Sequence, residues 1–397
     1  MRRIYFFVCI IVLCCINSAQ AHLPCPVNAR GVLQCDAEVK SSYKKSVSLH
    51  FDVNSREESY AARMLTKSLQ ERGYVINANS GDYSIKFFID KRGYDAEAFA
   101  IIPEGNVIKI IGGDYRGLIY GALSLSEDLR NEILLDNAVA RSEKPKLMLR
   151  AVKYDLPWDT YRHSEALNLH DETCRDPKYW EAFLDMMAEN RLNALSLWNL
   201  HPYPFMIIPK NYPEASPFTK EEFKEWQKLF QSIIGMAAER AIETYLIPFN
   251  IFVTPEFSVA HNVAMDNLDH HFYVRGETAQ IVKDYTRECV TQVLEEYPDL
   301  TGFGLTLGEG MAGMTPQERE AWMTETIIEG MRRANRPSKL VHRVPFSSTT
   351  ESLGNTSVET ERITRASIER EADMGFTEVL FLQTLNSIGH IPFPRPS

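Results

Sequence analysis

What the sequence lacks narrows its function before any motif is read. Beyond the first three residues there is no long run of basic residues, and Asp plus Glu outnumber Lys plus Arg 53 to 43, for a net charge of −10. Nucleic acid and anionic membrane surfaces, which are bound through clustered Lys and Arg, are therefore not expected partners. No Cys-x-x-Cys pair occurs, and no Cys/His spacing of the zinc-binding kind. Neither a metal nor any other cofactor is expected. His261, His270 and His271 share a long polar loop, but no helical His-x-x-x-His pairing supports a metal there. After the first segment, no apolar stretch approaches the ~20 residues a membrane-spanning helix needs. Glycine and proline, 20 each in 397 residues, are too few for a collagen-like or disordered chain, and 44% hydrophobic content suffices for packed cores.

The opening segment has the form of an export signal: Arg2 and Arg3, an apolar run over 4–16, then Ala19-Gln20-Ala21. That run is too short to span a bilayer, so removal of residues 1–21 and a secreted or periplasmic protein are expected. Cys9, Cys14 and Cys15 would leave with it. Of the remaining cysteines, Cys25 and Cys35 are near enough in sequence to pair in an oxidising compartment, whereas Cys174 and Cys289 are expected as isolated thiols.

Hydrophobic spacing divides the chain beyond residue 21 into two parts. Alternation predicts strands over 46–53, 83–90 and 98–112, and helical spacing covers 55–72 and 117–130. This reads as a small α+β domain spanning 22–145 that ends in a polar linker over 140–146. From 146 to 397 the pattern changes to short apolar strands, each followed by a longer helical segment, the form of βα units on a parallel sheet. Strands are predicted over 149–155, 194–199, 244–250, 302–307, 340–346 and 378–383. Helices are predicted over 177–189, 220–240, 277–296, 316–334 and 358–374. No glycine-rich loop follows the first of these strands, which favours a TIM (β/α)8 barrel over a doubly wound sheet. The expected fold is α/β: a small α+β domain followed by an incomplete barrel of about six βα units, where closure takes eight. A shortened gene product, an interrupted reading frame, or a chain that closes with another polypeptide would each account for the deficit.

A barrel presents its active site at the carboxyl ends of its strands, so the polar residues there are the ones to collect. They are Asp155, Trp158 and Asp159; Trp198, Asn199 and His201; Asn250 and Glu256; Glu309; His342 and Arg343; Gln383 and Asn386. Glu309 stands out because the strand 302–307 delivers it to the rim between Gly308 and Gly310, where a ligand can approach the backbone closely. A carboxyl group in a partly apolar pocket keeps its proton near neutral pH and acts as a general acid; the alternative is an ordinary loop or cap residue. Trp158 and Trp198 suit stacking on a sugar ring, with Asn199, Asn250 and Gln383 bonding its hydroxyls, or equally serve as barrel core. Arg343, inside a buried strand, would take a substrate carboxylate or an internal salt bridge. His201 is either a substrate-binding residue or a loop histidine satisfied by backbone.

Two motifs carry a resemblance. Gly112-Gly-Asp-Tyr-Arg-Gly-Leu-Ile-Tyr-Gly-Ala-Leu123 and Gly302-Phe-Gly-Leu-Thr-Leu-Gly-Glu-Gly-Met-Ala-Gly313, with Leu149-Arg150 and Trp158-Asp159, are similar to the α-glucuronidase-like glycoside hydrolases. In these a hexosaminidase-type α/β domain precedes a (β/α)8 barrel. The resemblance implies Glu309 as the acid of an inverting reaction, with a second carboxylate about 6.5–9.5 Å away activating water. The family supplies that base from just past strand six and from strand seven. Here Pro392 stands where an Asp would be expected, and strand seven is not seen. Hexosaminidase chemistry, which uses adjacent Asp and Glu after strand four, is not expected, because Gly308 precedes Glu309. The function expected is hydrolysis of polysaccharide-derived oligosaccharides, including ones bearing uronic acid. The alternative is a catalytically inactive or truncated remnant that binds glycans without turnover.

Overall fold

The computed structural model describes residues 45–383 apart from 78–79, 161–164, 264–265, 268–273, 276–277, 308–310, 312–313, 345–357 and 373–377. The first layer holds β1 (Ser46–His50), α1 (Arg56–Glu71), β2 (Val75–Ile76), β3 (Tyr83–Ile89), β4 (Phe99–Glu104), β5 (Val107–Gly112), α2 (Tyr115–Arg130) and β6 (Arg141–Glu143). The strands form one sheet in the order β2-β1-β3-β5-β4-β6, with β4 antiparallel to both its neighbours. Side-chain caps set both helix starts: Ser55 accepts from the Glu58 amide and Asp114 from the Gly117 amide. Gly117 is required by close approach, since a Cβ there would meet the Ala98 carbonyl at 2.1 Å. Tyr60, Leu65, Leu118 and Ile119 bury the helices' apolar faces.

The polar stretch expected as a linker does more than connect. Residues 141–143 pair with Phe99–Ile101, and Arg141 also bonds Asp128 at 2.7 Å. A short charged edge strand shows no apolar alternation, so its sequence carries no strand signal.

The second layer contains β7 (Ala151–Asp155), α3 (Glu165–Arg175), α4 (Pro177–Glu189), β8 (Ala194–Asn199), α5 (Tyr203–Met206), α6 (Lys220–Glu239) and β9 (Glu243–Pro248). After these come β10 (Phe252–Val253), α7 (Pro255–His261), β11 (Asp266–Asn267), β12 (Val274–Arg275), α8 (Gln280–Glu296), β13 (Gly302–Thr306), α9 (Pro316–Met323), α10 (Glu329–Arg333), β14 (Lys339–Val344), α11 (Val358–Ala372) and β15 (Glu378–Gln383). Six of the strands form a wholly parallel sheet in the order β15-β14-β13-β9-β8-β7, with helical crossovers between neighbours. This is the α/β, TIM-type order expected from the sequence, and among the described residues β7 and β15 are its edges. The segment 316–334 is not one α-helix: Thr324–Ile328 is a π turn, where the Thr326 hydroxyl donates back to the Trp322 carbonyl at 2.7 Å. Cys174 and Cys289 are buried and free. Among the described residues no helix is long and apolar enough to cross a membrane.

A polar network joins the two layers where the parallel strands begin. Glu97 receives Arg116 at 2.6 Å and Asn193 at 2.8 Å through one oxygen, and Arg150 through the other. Arg116 continues to Glu243 at 3.3 Å, which also receives Lys339 at 2.8 Å. Burial alone would push both carboxyls up. Asn193, Arg116 and Arg150 at Glu97, and Lys339, Tyr245 and Arg116 at Glu243, outweigh it and hold both below the usual range.

Candidate active site at the strand ends

Because the six strands are parallel, their carboxyl ends share one rim. Register pairs Asp155 with Trp198, Asn199 with Pro248, Thr306 with Arg343, and Val344 with Gln383. The pleat then sorts side chains between two faces. Tyr154 packs on Trp180 of α4, and His342 bonds Glu320 of α9 at 3.3 Å, so these positions face the helices. Lys153, Asp155, Ser196, Trp198, Tyr245, Ile247 and Gly304 alternate onto the inner face. A Cβ at Gly304 would meet Ile247 at 2.7 Å, which shows how closely that face is filled.

The sequence candidates fall into three groups. On the inner face lies Trp198, its indole N–H donating to Ser196 Oγ at 3.0 Å. Arg343 and Gln383 are rim residues through their strand pairing.

Beneath the rim, the second group braces loops. Asn250 is buried and donates to the Thr306 carbonyl, tying the end of β9 to the end of β13. The next residue, Ile251, has φ +57°, a conformation that costs a β-branched residue about 1–3 kcal/mol and that marks functional rims more often than plain ones. Asn199 donates weakly to the Asp159 carbonyl, and Asp159 accepts from the His201 amide at 2.9 Å. His201 is 1% exposed, with Nε2 at 2.8 Å from the Tyr285 hydroxyl. Together with Tyr203, Asn250, Thr286 and Trp322 it lines a cavity of about 10 Å³. That is room for about one water and far below the hundreds of Å³ a sugar occupies.

Trp158 belongs to neither group. Its ring lies 4.9 Å from Trp226, with Phe205 and Phe230 also in contact, in an aromatic cluster against α6. Glu309 is outside the described residues, as are Asn386 and the histidines at 270 and 271.

Lys153 was not among the sequence candidates. Lys153 lies within β7 rather than after it, where a barrel's site residues are expected; its signal is the two-residue spacing from Asp155 in an otherwise apolar run. Its ammonium lies 4.1 Å from the Trp198 ring centroid and 3.3 Å from Asp155 Oδ1. Among the described residues no three His, Cys, Asp or Glu side chains are grouped to hold a metal.

Burial pushes the His201 imidazole down to about 3, so the folded protein holds it neutral. The unfolded chain binds a proton below about pH 6.5 that the native state refuses. Stability is therefore full above that pH and declines below it, by up to about 1.4 kcal/mol per pH unit. Between pH 6.5 and about 4.5, above the range where carboxylates titrate, His201→Phe is expected to flatten the melting curve's pH dependence. An unchanged slope in thermal denaturation would assign the effect to another group.

No protein-family model and no curated protein matches this sequence. Solved structures do resemble it. An enzyme of glycoside hydrolase family GH138 targeting pectin rhamnogalacturonan II superposes with a TM-score of 0.69 at 24% identity, over 85% of this chain and 38% of that one. The GH20 β-N-acetylhexosaminidase from Streptomyces coelicolor A3(2) gives 0.54 at 13% identity, over 86% and 72%. The β-N-acetylhexosaminidase from Bacteroides fragilis NCTC 9343 gives 0.52 at 13%, over 84% and 70%. The shared property is the fold, that of glycoside hydrolases of the TIM-barrel type. This chain spans well under half the length of the GH138 enzyme.

Proposed function

We propose that the protein is a glycoside hydrolase acting on polysaccharide-derived oligosaccharides that carry uronic acid, with Glu309 as general acid. The observation that supports the reading is the buried strand β13, whose carboxyl end at Thr306 lies three residues before position 309 in the sequence. Asn250 fastens the end of that strand, and the inner face beside it offers Trp198, Asp155 and Lys153. The likeness of fold to glycoside hydrolases supports it. Arg343, in register with Thr306, is the residue proposed to take the substrate carboxylate, and Gln383 to bond a hydroxyl. The α-glucuronidase-like assignment, the division into domains at 22–145 and 146–397, and export with loss of residues 1–21 belong to the same proposal.

The test is incubation of the purified chain with glucuronosyl, galacturonosyl and rhamnogalacturonan II oligosaccharides, following products by chromatography and binding by calorimetry. Release of a terminal uronate supports the reading. Binding without turnover would favour the glycan-binding remnant, and neither binding nor release contradicts both.

A further inference from the structure

We infer that Lys153 and Asp155, standing against Trp198, form a subsite for two neighbouring hydroxyls of a pyranose ring. This rests on the reading of the cleft as a carbohydrate site and specifies which part of the sugar is held there. The pleat puts residues 153 and 155 on the same inner face of β7, and register sets them opposite Ser196 and Trp198. The indole is fixed by its hydrogen bond to Ser196 and is 8% exposed, with the ammonium of Lys153 over its ring. The Lys153 side chain retains 40% of its exposure and Asp155 15%. The inner face therefore exposes the charged pair more than the ring.

An ammonium only donates and a carboxylate only accepts. Set 3.3 Å apart, they match two vicinal hydroxyls, one accepting from Lys153 and the other donating to Asp155. A second anion would be repelled by Asp155, so this pair takes the neutral part of the ring and not an acid group.

The experiment is calorimetric titration of the full chain with methyl galacturonoside, methyl glucuronoside and methyl rhamnoside, then with monodeoxy analogues of whichever binds. Removing one of two adjacent hydroxyls is expected to weaken binding to the wild type by about 10- to 100-fold. Lys153→Met and Asp155→Asn are expected to bind the parent sugar as weakly and to be nearly indifferent to the same deoxy change. Deoxy analogues that bind the wild type as well as the parent overturn the subsite while leaving the carbohydrate reading intact. Absence of binding by every sugar overturns both. The deoxy series needs only the wild-type protein, so it decides the matter even if a variant fails to fold.

Discussion

Glu309→Gln is expected to slow hydrolysis of a sugar–sugar linkage by about 10²–10⁴-fold while slowing an aryl glycoside with a phenolate leaving group far less. The departing sugar leaves as an alkoxide unless a proton reaches its oxygen as the bond breaks, whereas a phenolate leaves without one. Glutamine keeps the shape and hydrogen-bonding reach of the side chain but has no acidic proton, so KM should move little and kcat should carry the loss. The alkaline limb of the wild type's pH–rate profile, where the acid loses its proton, should vanish in the variant. Equal slowing of both substrate types would show a role in folding or binding instead.

Glu97→Ala is expected to destabilise the fold by about 3–5 kcal/mol, the range for breaking a buried ion pair by removing one partner. Arg116 and Arg150 would be left inside the joint between the layers with their shared acceptor gone, and Asn193 would lose its bond to the same carboxylate. The contribution is present above the ordinary glutamate pKa and declines as pH falls through the lowered folded value, so the wild type's advantage should shrink in acid. Denaturant titration of both proteins at neutral pH and near pH 4 checks the magnitude and the sign. Lys210→Ala, which removes an exposed pair with Glu295, serves as the control and should melt with the wild type. A Glu97→Ala protein as stable as the wild type would mean that the network only fills space.

The parallel sheet was legible because its strands are short, largely apolar runs alternating with segments of helical spacing, and β8, β9 and β13 are buried almost throughout. The spans 194–199 and 378–383 match β8 and β15 end to end. The edge strand β6 was not legible, because polar residues at an edge are indistinguishable from a linker. The rim could be predicted from topology alone, but which rim residues face inward could not. His201 and Asn250 follow strands as site residues do, yet both are buried as loop braces. Trp158 reads as a stacking platform until α6 supplies Trp226 and Phe230 from a distant part of the chain. Lys153 is hidden for the converse reason, because a strand interior reads as core.

The central claim, a proton-donating carboxyl at 309 over a sugar held at the strand ends, is tested most directly by a crystal structure of Glu309→Gln soaked with an intact oligosaccharide that the wild type cleaves. The account predicts sugar density on the inner face beside Lys153, Asp155 and Trp198, with the side chain at 309 within about 3 Å of the glycosidic oxygen. A sugar bound elsewhere, with position 309 turned out into solvent, would contradict it.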